Sequence, residues 1–302
     1  MSAITFRSIA SEERAAAAEV LFVALYEVAL RHGVRPTLQD LDDARDYVSH
    51  LFAFDPLSGV LGELDGHPVA VGWLHSRGSV ATIGPLAVVP ALQGQGLGHH
   101  LLGHLAEAAG RRVSQIRLVQ DAFDDASMGL FLRGGFRIVS SVLELELPAG
   151  AAGATPELDD GTTLRARAPG DGRFIVERDL RVFGGQRGQD VNLLSEHGTG
   201  VVAERAGRIT GYAFGLHGRG GVQLGPGAAD DPAVLRAMLG ELARDLGGRQ
   251  RPVRVMVPAG DRRVVDGLVE SGFRVSRVCT YMIRGGGMAP PQSYVLMSRE
   301  LC

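Results

Sequence analysis

Apolar positions recur three and four apart from about Glu12 to His32, and again from about Leu38 to Leu51, the spacing of helices that bury one face. The pattern then shortens. "GVLGEL", "PVAVGWL" and "SVATIGPLAVV" read as strands. Asp65-Gly66, between the first two, is a two-residue hairpin signal, because a type I′ turn needs positive φ at both central positions. Leu97, Leu101, Leu102 and Leu105 share a helical face. "SQIRLVQ" reads as a strand, "DDASMGLFLRG" as a helix and "GFRIVSSVLELEL" as a strand with partial alternation. Residues 148–161, "PAGAAGATPELDDG", hold Pro, Gly and Ala without a period and read as a linker.

Past the linker the pattern repeats. "GELDGHPVAVGWL" is matched by "AERAGRITGYAFG", "IGPLAV" by "LGPGAA" and "RGGFRIVS" by "ESGFRVSR". Glu63 and Glu204, Gly66 and Gly207, Gly84 and Gly225, and Pro85 and Pro226 are each 141 apart. Gly103 and Gly240, Leu105 and Leu242, Gly135 and Gly272, and Phe136 and Phe273 are each 137 apart. Matches on two offsets, in the same order, predict a duplicated fold: a first domain over 1–147, a linker over 148–161 and a second domain over 162–302. The second copy is four residues shorter (141 − 137) between its Gly-Pro and the next helix, where the first carries "QGQGLG". The closing "SYVLMSRELC" reads as a final strand.

Composition narrows the function classes. A chain of 302 residues, 45% hydrophobic and 22% charged, is long enough for two globular cores. Its formal net charge of -3 gives no reason to expect a nucleic-acid or anionic-membrane partner. No apolar run reaches bilayer-spanning length, and the start has no basic segment followed by an apolar core, so neither a membrane anchor nor a secretory signal is expected. Two cysteines, Cys279 and Cys302, argue against a disulfide framework or a cysteine metal site and fit a cytoplasmic setting.

Gly94, Gly96 and Gly98 stand at a strand-to-helix junction. Such a junction holds anions: the first helical turn has unpaired N–H groups, the helix dipole adds positive charge, and absent Cβ atoms let a phosphate close to the backbone. A nucleoside triphosphate loop is excluded, because no Gly-Lys-Ser/Thr follows. A dinucleotide fold fits poorly, because Gly-x-Gly-x-x-Gly is absent and the preceding strands form a meander.

Gln93-x-x-Gly96-x-Gly98, preceded by "IGPLAVVP" and followed downstream by "MGLFLRGGF", resembles the GCN5-related N-acetyltransferase (GNAT) family. The resemblance covers about residues 3–147 and, more weakly, 162–301. It implies an α+β fold in tandem, each copy a mostly antiparallel mixed sheet flanked by helices, the second copy degenerate. It also implies acetyl-CoA as donor, held by the loop residues Gln93, Gly94, Gln95, Gly96, Leu97, Gly98 and His99. Leu86, Ala87 and Val88 would splay from the next strand and pair with the pantetheine arm. The Val88 N–H would face the thioester oxygen, an oxyanion-type contact. No protein nucleophile and no metal are needed, since an amine attacks directly once both substrates are bound.

The family's proton donor is often a tyrosine four residues before the Gly of Gly-Phe; here Phe131 stands there, and Ser127 one turn earlier is the candidate acid. Asp124 stands where relatives often carry asparagine, and it equally fits a helix cap. Asp121, at a strand end, and His75 are the candidate bases; His75 also reads as a turn residue beside Ser76-Arg77-Gly78. Tyr26 and Glu27 are candidates for the acceptor pocket, although Glu27 fits a helix-surface charge. Trp73 is expected in the core. In the second copy, Asp230 and Asp231 would repel a pyrophosphate, and Pro232 removes a donor while opening a helix capped by Asp231. These features predict one acetyl-CoA per chain and a small-molecule amine as acceptor, in a monomer or homodimer. The alternatives are a protein or peptide amine and a non-catalytic acetyl-CoA sensor.

Overall fold

The computed structural model describes residues 4–151, 158–159, 161–218, 220–247, 251–287 and 290–302. Most of the expected linker, 152–157 and 160, therefore lies outside the described residues. The chain packs as two compact units. Unit 1 holds Met1–Arg137 and Met282–Gly287, and unit 2 holds Ile138–Tyr281 and Met288–Cys302.

Unit 1 runs β1 (Thr5–Ser8), α1 (Arg14–Arg31), α2 (Leu41–Phe54), β2 (Gly59–Leu64), β3 (His67–Arg77), β4 (Val80–Val88), α3 (Leu97–Ala108), β5 (Gln115–Asp121) and α4 (Asp125–Arg133). The second helix starts later than its apolar spacing predicts, because Asp40 caps it, its carboxylate accepting the Asp43 N–H at 2.8 Å. Asp65 (φ 51) and Gly66 (φ 76) form the expected turn between β2 and β3. The strands lie in chain order, antiparallel except for the parallel β4–β5 pair.

Adjacent residues on β3 enter opposite layers, as a pleated strand requires. Val71 and Trp73 meet Leu21, Val48 and Phe52 of α1 and α2. Ala70 meets Leu101, Leu102 and Leu105 of α3. Trp73 is fully buried, edge-on to Phe52, as the sequence predicts.

Unit 2 contains β6 (Arg137–Leu147, from Ile138), β7 (Thr162–Ala166), α5 (Gly172–Phe183), α6 (Gly188–His197), β8 (Thr199–Arg205), β9 (Arg208–Gly218), β10 (Gly221–Ala229), α7 (Pro232–Leu242), β11 (Val253–Pro258), α8 (Arg262–Glu270), β12 (Arg274–Gly285, to Tyr281) and β13 (Tyr294–Val295). Its strand order is β12-β6-β11-β10-β9-β8-β7, with β13 against β10. Ala206 (φ 50) and Gly207 (φ 72) repeat the β2–β3 turn. The repeat extends to an ion-pair trio that spacing does not reveal. Arg7 bridges Glu13 and Glu63 in the first copy, and Arg165 bridges Asp171 and Glu204 in the second.

Repeats and compact units differ at two strands. β6 follows the first Gly-Phe, yet it pairs antiparallel with β11 in unit 2, Leu147 opposite Val253 and Val142 opposite Pro258. The end of β12 follows the second Gly-Phe, yet it belongs to unit 1. There Met282 joins the core with Leu102 and Phe131, and Gln115 Nε2 donates to the Gly286 carbonyl at 2.6 Å. The closing "SYVLMSRELC" is not a full strand: only Tyr294 and Val295 form a ladder, Leu296 adds a bridge to Met256, and the remainder turns.

Candidate active site

β4 and β5 pair at Val80–Gln115, Ala81–Ile116 and Thr82–Arg117, and there the ladder ends. β4 continues to Val88 and β5 to Asp121, so the two strands part as the resemblance implies. On its other edge β4 remains paired, Leu86 with Gly72, Ala87 with Val71 and Val88 with Ala70. The Val89 N–H donates to the Val69 carbonyl, toward β3. Alternation then points the backbone groups of Val88 the opposite way, into the opening beside β5. The Gln93 side chain confirms that direction, its Nε2 donating to the Val88 carbonyl at 2.9 Å. Gln93 thus braces the strand end, a role the motif spacing alone does not disclose. The side chains of Ala87 and Val88 are buried, and Leu86 is half-buried.

The loop turns on Gly94 (φ 74) and Gly96 (φ 85), and Gly96 caps α3 in a left-handed conformation. A Cβ added at either would meet nothing within 4 Å, so both face open space. Among the described residues the amides of Gly94, Gln95, Gly96, Leu97 and Gly98 make no backbone hydrogen bond. These amides, the dipole of α3 and the open cradle fit a pyrophosphate. His99 and His100 are exposed on the first turn of α3.

Asp124 caps α4. Its carboxylate accepts the Ser127 N–H at 3.1 Å and the Ser127 hydroxyl at 2.5 Å. The Ser127 proton is therefore held on Asp124. His32, Asp124 and Asp125 bring possible ligand atoms within 4.8 Å of one another, but capping already occupies both Asp124 oxygens. Phe131 is 7% exposed and packs edge-on against Phe136, so it belongs chiefly to the core. Asp121 is half-buried at the end of β5. Glu27 is exposed and paired with Arg31, the surface charge its position predicts, while Tyr26 is half-buried against Phe22.

His75 is not a turn residue. It lies inside β3, fully buried, with Nδ1 3.8 Å from Asp55 and with Arg77 3.1 Å from the same carboxylate. Burial alone would raise the Asp55 pKa; His75 and Arg77 outweigh it and hold the carboxyl below its usual range. This cluster lies out of reach of solvent at His75.

The second copy keeps the frame and changes the mouth. β10 and β11 pair from Val222–Val253 to Leu224–Val255 and then part. Where the first copy has residues 89–96, the second has only Asp230 and Asp231 before α7. Asp231 caps α7 through the Ala233 N–H at 2.7 Å, with Pro232 as first helical residue. The tail, Ser293 to Leu296, lies between the parted strands.

An open strand pair, a braced strand end and a glycine cradle at a helix N-terminus define an acyltransferase of the GNAT class. Residues 23–136 match the Acetyltransferase (GNAT) family, and residues 175–296 match the Acetyltransferase (GNAT) domain. The chain belongs to the GNAT family, as a tandem member with both copies recognisable. Among solved structures, a candidate acetyltransferase from Pyrococcus horikoshii superposes with a TM-score of 0.77 at 18% identity, over 99% of this chain and 96% of its own. A GCN5-related N-acetyltransferase from Sphaerobacter thermophilus gives 0.69 at 20%, over 95% and 98%. A tandem GNAT protein from the clavulanic acid biosynthesis pathway gives 0.65 at 15%, over 95% and 100%. At such identities these likenesses establish the fold. No curated protein matches the chain. No described helix is long and apolar enough to cross a membrane.

Proposed function

We propose that the first half binds acetyl-CoA and transfers its acetyl group to a primary amine of a small molecule, in a ternary complex and in the cytoplasm. The observation that carries this reading is the Val88 N–H, aimed into the gap between β4 and β5 beside the glycine cradle. Gly94 to His99 would hold the pyrophosphate, and Leu86 to Val88 would pair with the extended arm. Asp124 and Phe131 would flank that arm from α4.

The amine nitrogen attacks the thioester carbon. A C–N bond forms, the C–S bond breaks, and CoA leaves as a thiolate. Negative charge grows on the carbonyl oxygen during attack, and a fixed N–H there is strengthened in the transition state. Asp121 is the base we assign, because His75 is sealed inside β3. Solvent protonates the thiolate, because the Ser127 proton is directed at Asp124 and Phe131 has none to give.

The test is thiol release from acetyl-CoA across a panel of amines and peptides. Turnover with small amines is expected, and Asp121→Asn should lower kcat by roughly 100-fold or more. Preference for peptides would redirect the acceptor assignment. Tight binding of acetyl-CoA without turnover on any acceptor would overturn catalysis in favour of a sensor.

A further inference from the structure

We propose that the C-terminal segment Ser293–Cys302 is the resident ligand of the second half, lying where the extended arm of an acyl-CoA lies in a working copy. The analogy rests on the reading of the first half given above. The occupancy rests on unit 2 alone.

The two copies align residue by residue here. Leu86, Ala87 and Val88 correspond, 141 positions on, to Gly227, Ala228 and Ala229. The Val89–Val69 hydrogen bond recurs as Asp230 N–H to Thr210 carbonyl. Position 229 therefore points its N–H into the gap, as position 88 does. In the second half that N–H is taken: it donates to the Ser293 carbonyl at 3.1 Å. A peptide carbonyl thus sits where a thioester carbonyl would sit on Val88.

The rest of the segment follows the same path. Tyr294 and Val295 pair antiparallel with Ala228 and Gly227. The Leu296 N–H reaches across to the Met256 carbonyl of β11 at 3.0 Å, closing the gap from the other side. Asp261, 137 positions after Asp124 and likewise the cap of its helix, accepts the Ser293 N–H at 2.5 Å.

Small residues on β10 leave room for this occupant. Gly227 stands where the first copy has Leu86, and an added Cβ there would press on both Ala213 and Val295; Ala229 stands where the first copy has Val88. At Gly225 (φ 131), a glycine in both copies since it matches Gly84, an added Cβ would collide with the Leu296 carbonyl.

Beyond the ladder the segment is anchored by charge. Arg187 and Asp179 are each 1% exposed at their side chains and paired, and Tyr212 donates to Asp179. Arg187 also donates to the Leu301 carbonyl at 3.1 Å and to the Tyr294 hydroxyl at 3.3 Å. Arg299 pairs with Glu144 at 2.9 Å. Val295 and Leu296 are fully buried. Loss of the glycine loop is then only half of why the second copy would not take a donor. Its cleft is already filled by covalently attached chain.

The test severs that attachment after folding. A protease site inserted between Gly287 and Met288 is cut in the folded full-length chain, which is then passed through gel filtration. The released peptide is expected to co-elute with the body and to part from it only on unfolding. A peptide lost while the body keeps its circular dichroism would overturn the proposal.

Hydrogen exchange on the uncut chain is the second measurement. The amides of Ala229, Ser293 and Leu296 should exchange about 1,000-fold slower than in an unstructured chain. Exchange at unstructured rates would overturn the proposal even if cutting fails. Acetyl-CoA titration of the cut chain separates the two readings. Failure to bind there would sink the donor site of the first half and leave retention of the peptide standing.

Discussion

After Thr82 and Arg117 the first half opens a gap between its parallel strands; after Leu224 and Val255 the second half opens the same gap and closes it with its own tail. Around these gaps the two copies keep the hairpin turn, the capped helix after the fifth strand, the Arg–carboxylate trio and the Gly-Phe turn. The difference lies in a few residues. Gly94 and Gly96 make a cradle in one copy, whereas Asp230, Asp231 and Pro232 make an acidic, shortened cap in the other. A fold that parts two strands creates an unsatisfied edge. In the proposed function one copy offers that edge to a substrate, whereas the other satisfies it internally.

The comparison breaks most visibly at the cradle. Gly96→Asp puts a Cβ and a charge into the open space where we propose the pyrophosphate lies. Acetyl-CoA affinity should fall at least ~100-fold, about 3 kcal/mol, in calorimetry. The unaltered chain should titrate with one site, and two equivalent sites would show that the halves do not differ as described.

Truncation sharpens it next. A fragment of residues 1–150 loses Met282 from the unit 1 core and leaves β6 without β11. It should lack a cooperative thermal transition, and a stable, fully active fragment would contradict the exchange of strands.

In the second half, Arg187→Met leaves the buried Asp179 side chain without its ion-pair partner. A destabilisation of about 3–5 kcal/mol is expected in denaturant titration, partly restored by adding Asp179→Asn. Without such a loss, the pair does not anchor the tail.

A smaller effect depends on pH. Burial raises the Glu300 carboxyl from 4.5 to about 7. The folded state therefore binds more protons than the unfolded state between those values, and stability falls as pH rises from 4.5 through 7. The contribution is at most ~3 kcal/mol, and Glu300→Gln should remove that slope from the stability profile.

The smallest change is expected from Phe131→Tyr, which offers a thiolate the usual acid. Turnover should hold or rise a few-fold if thiolate protonation limits the rate. A large fall would mean that the packing on Phe136 matters more.

Local rules made much of this legible. Asp65-Gly66, the Asp231-Pro232 helix start, the apolar faces and the glycine loop each carry their cause within a few residues, and each is found where expected. His75 misled because Ser76-Arg77-Gly78 looks like a turn, whereas pairing with Thr82 carries β3 through Arg77. The tail was legible as extended chain but not as a plug, because its register is set by Gly227 and Ala229, which lie far away in sequence. Which partner β6 takes could not be read either. The strands after the two Gly-Phe turns carry similar patterns, so each is chemically acceptable beside either copy's fifth strand.

The placement of Met282–Gly287 has a consequence for the order of events at the ribosome. The first copy is synthesised first, but its core and sheet are completed only when residues near the end of the chain emerge. At roughly 5–20 residues per second, the nascent first half waits on the order of 10–30 s with an unfilled position beside β5. A fusion or pause that delays the last strand would prolong that exposure, and protection by a chaperone would be most valuable in that interval.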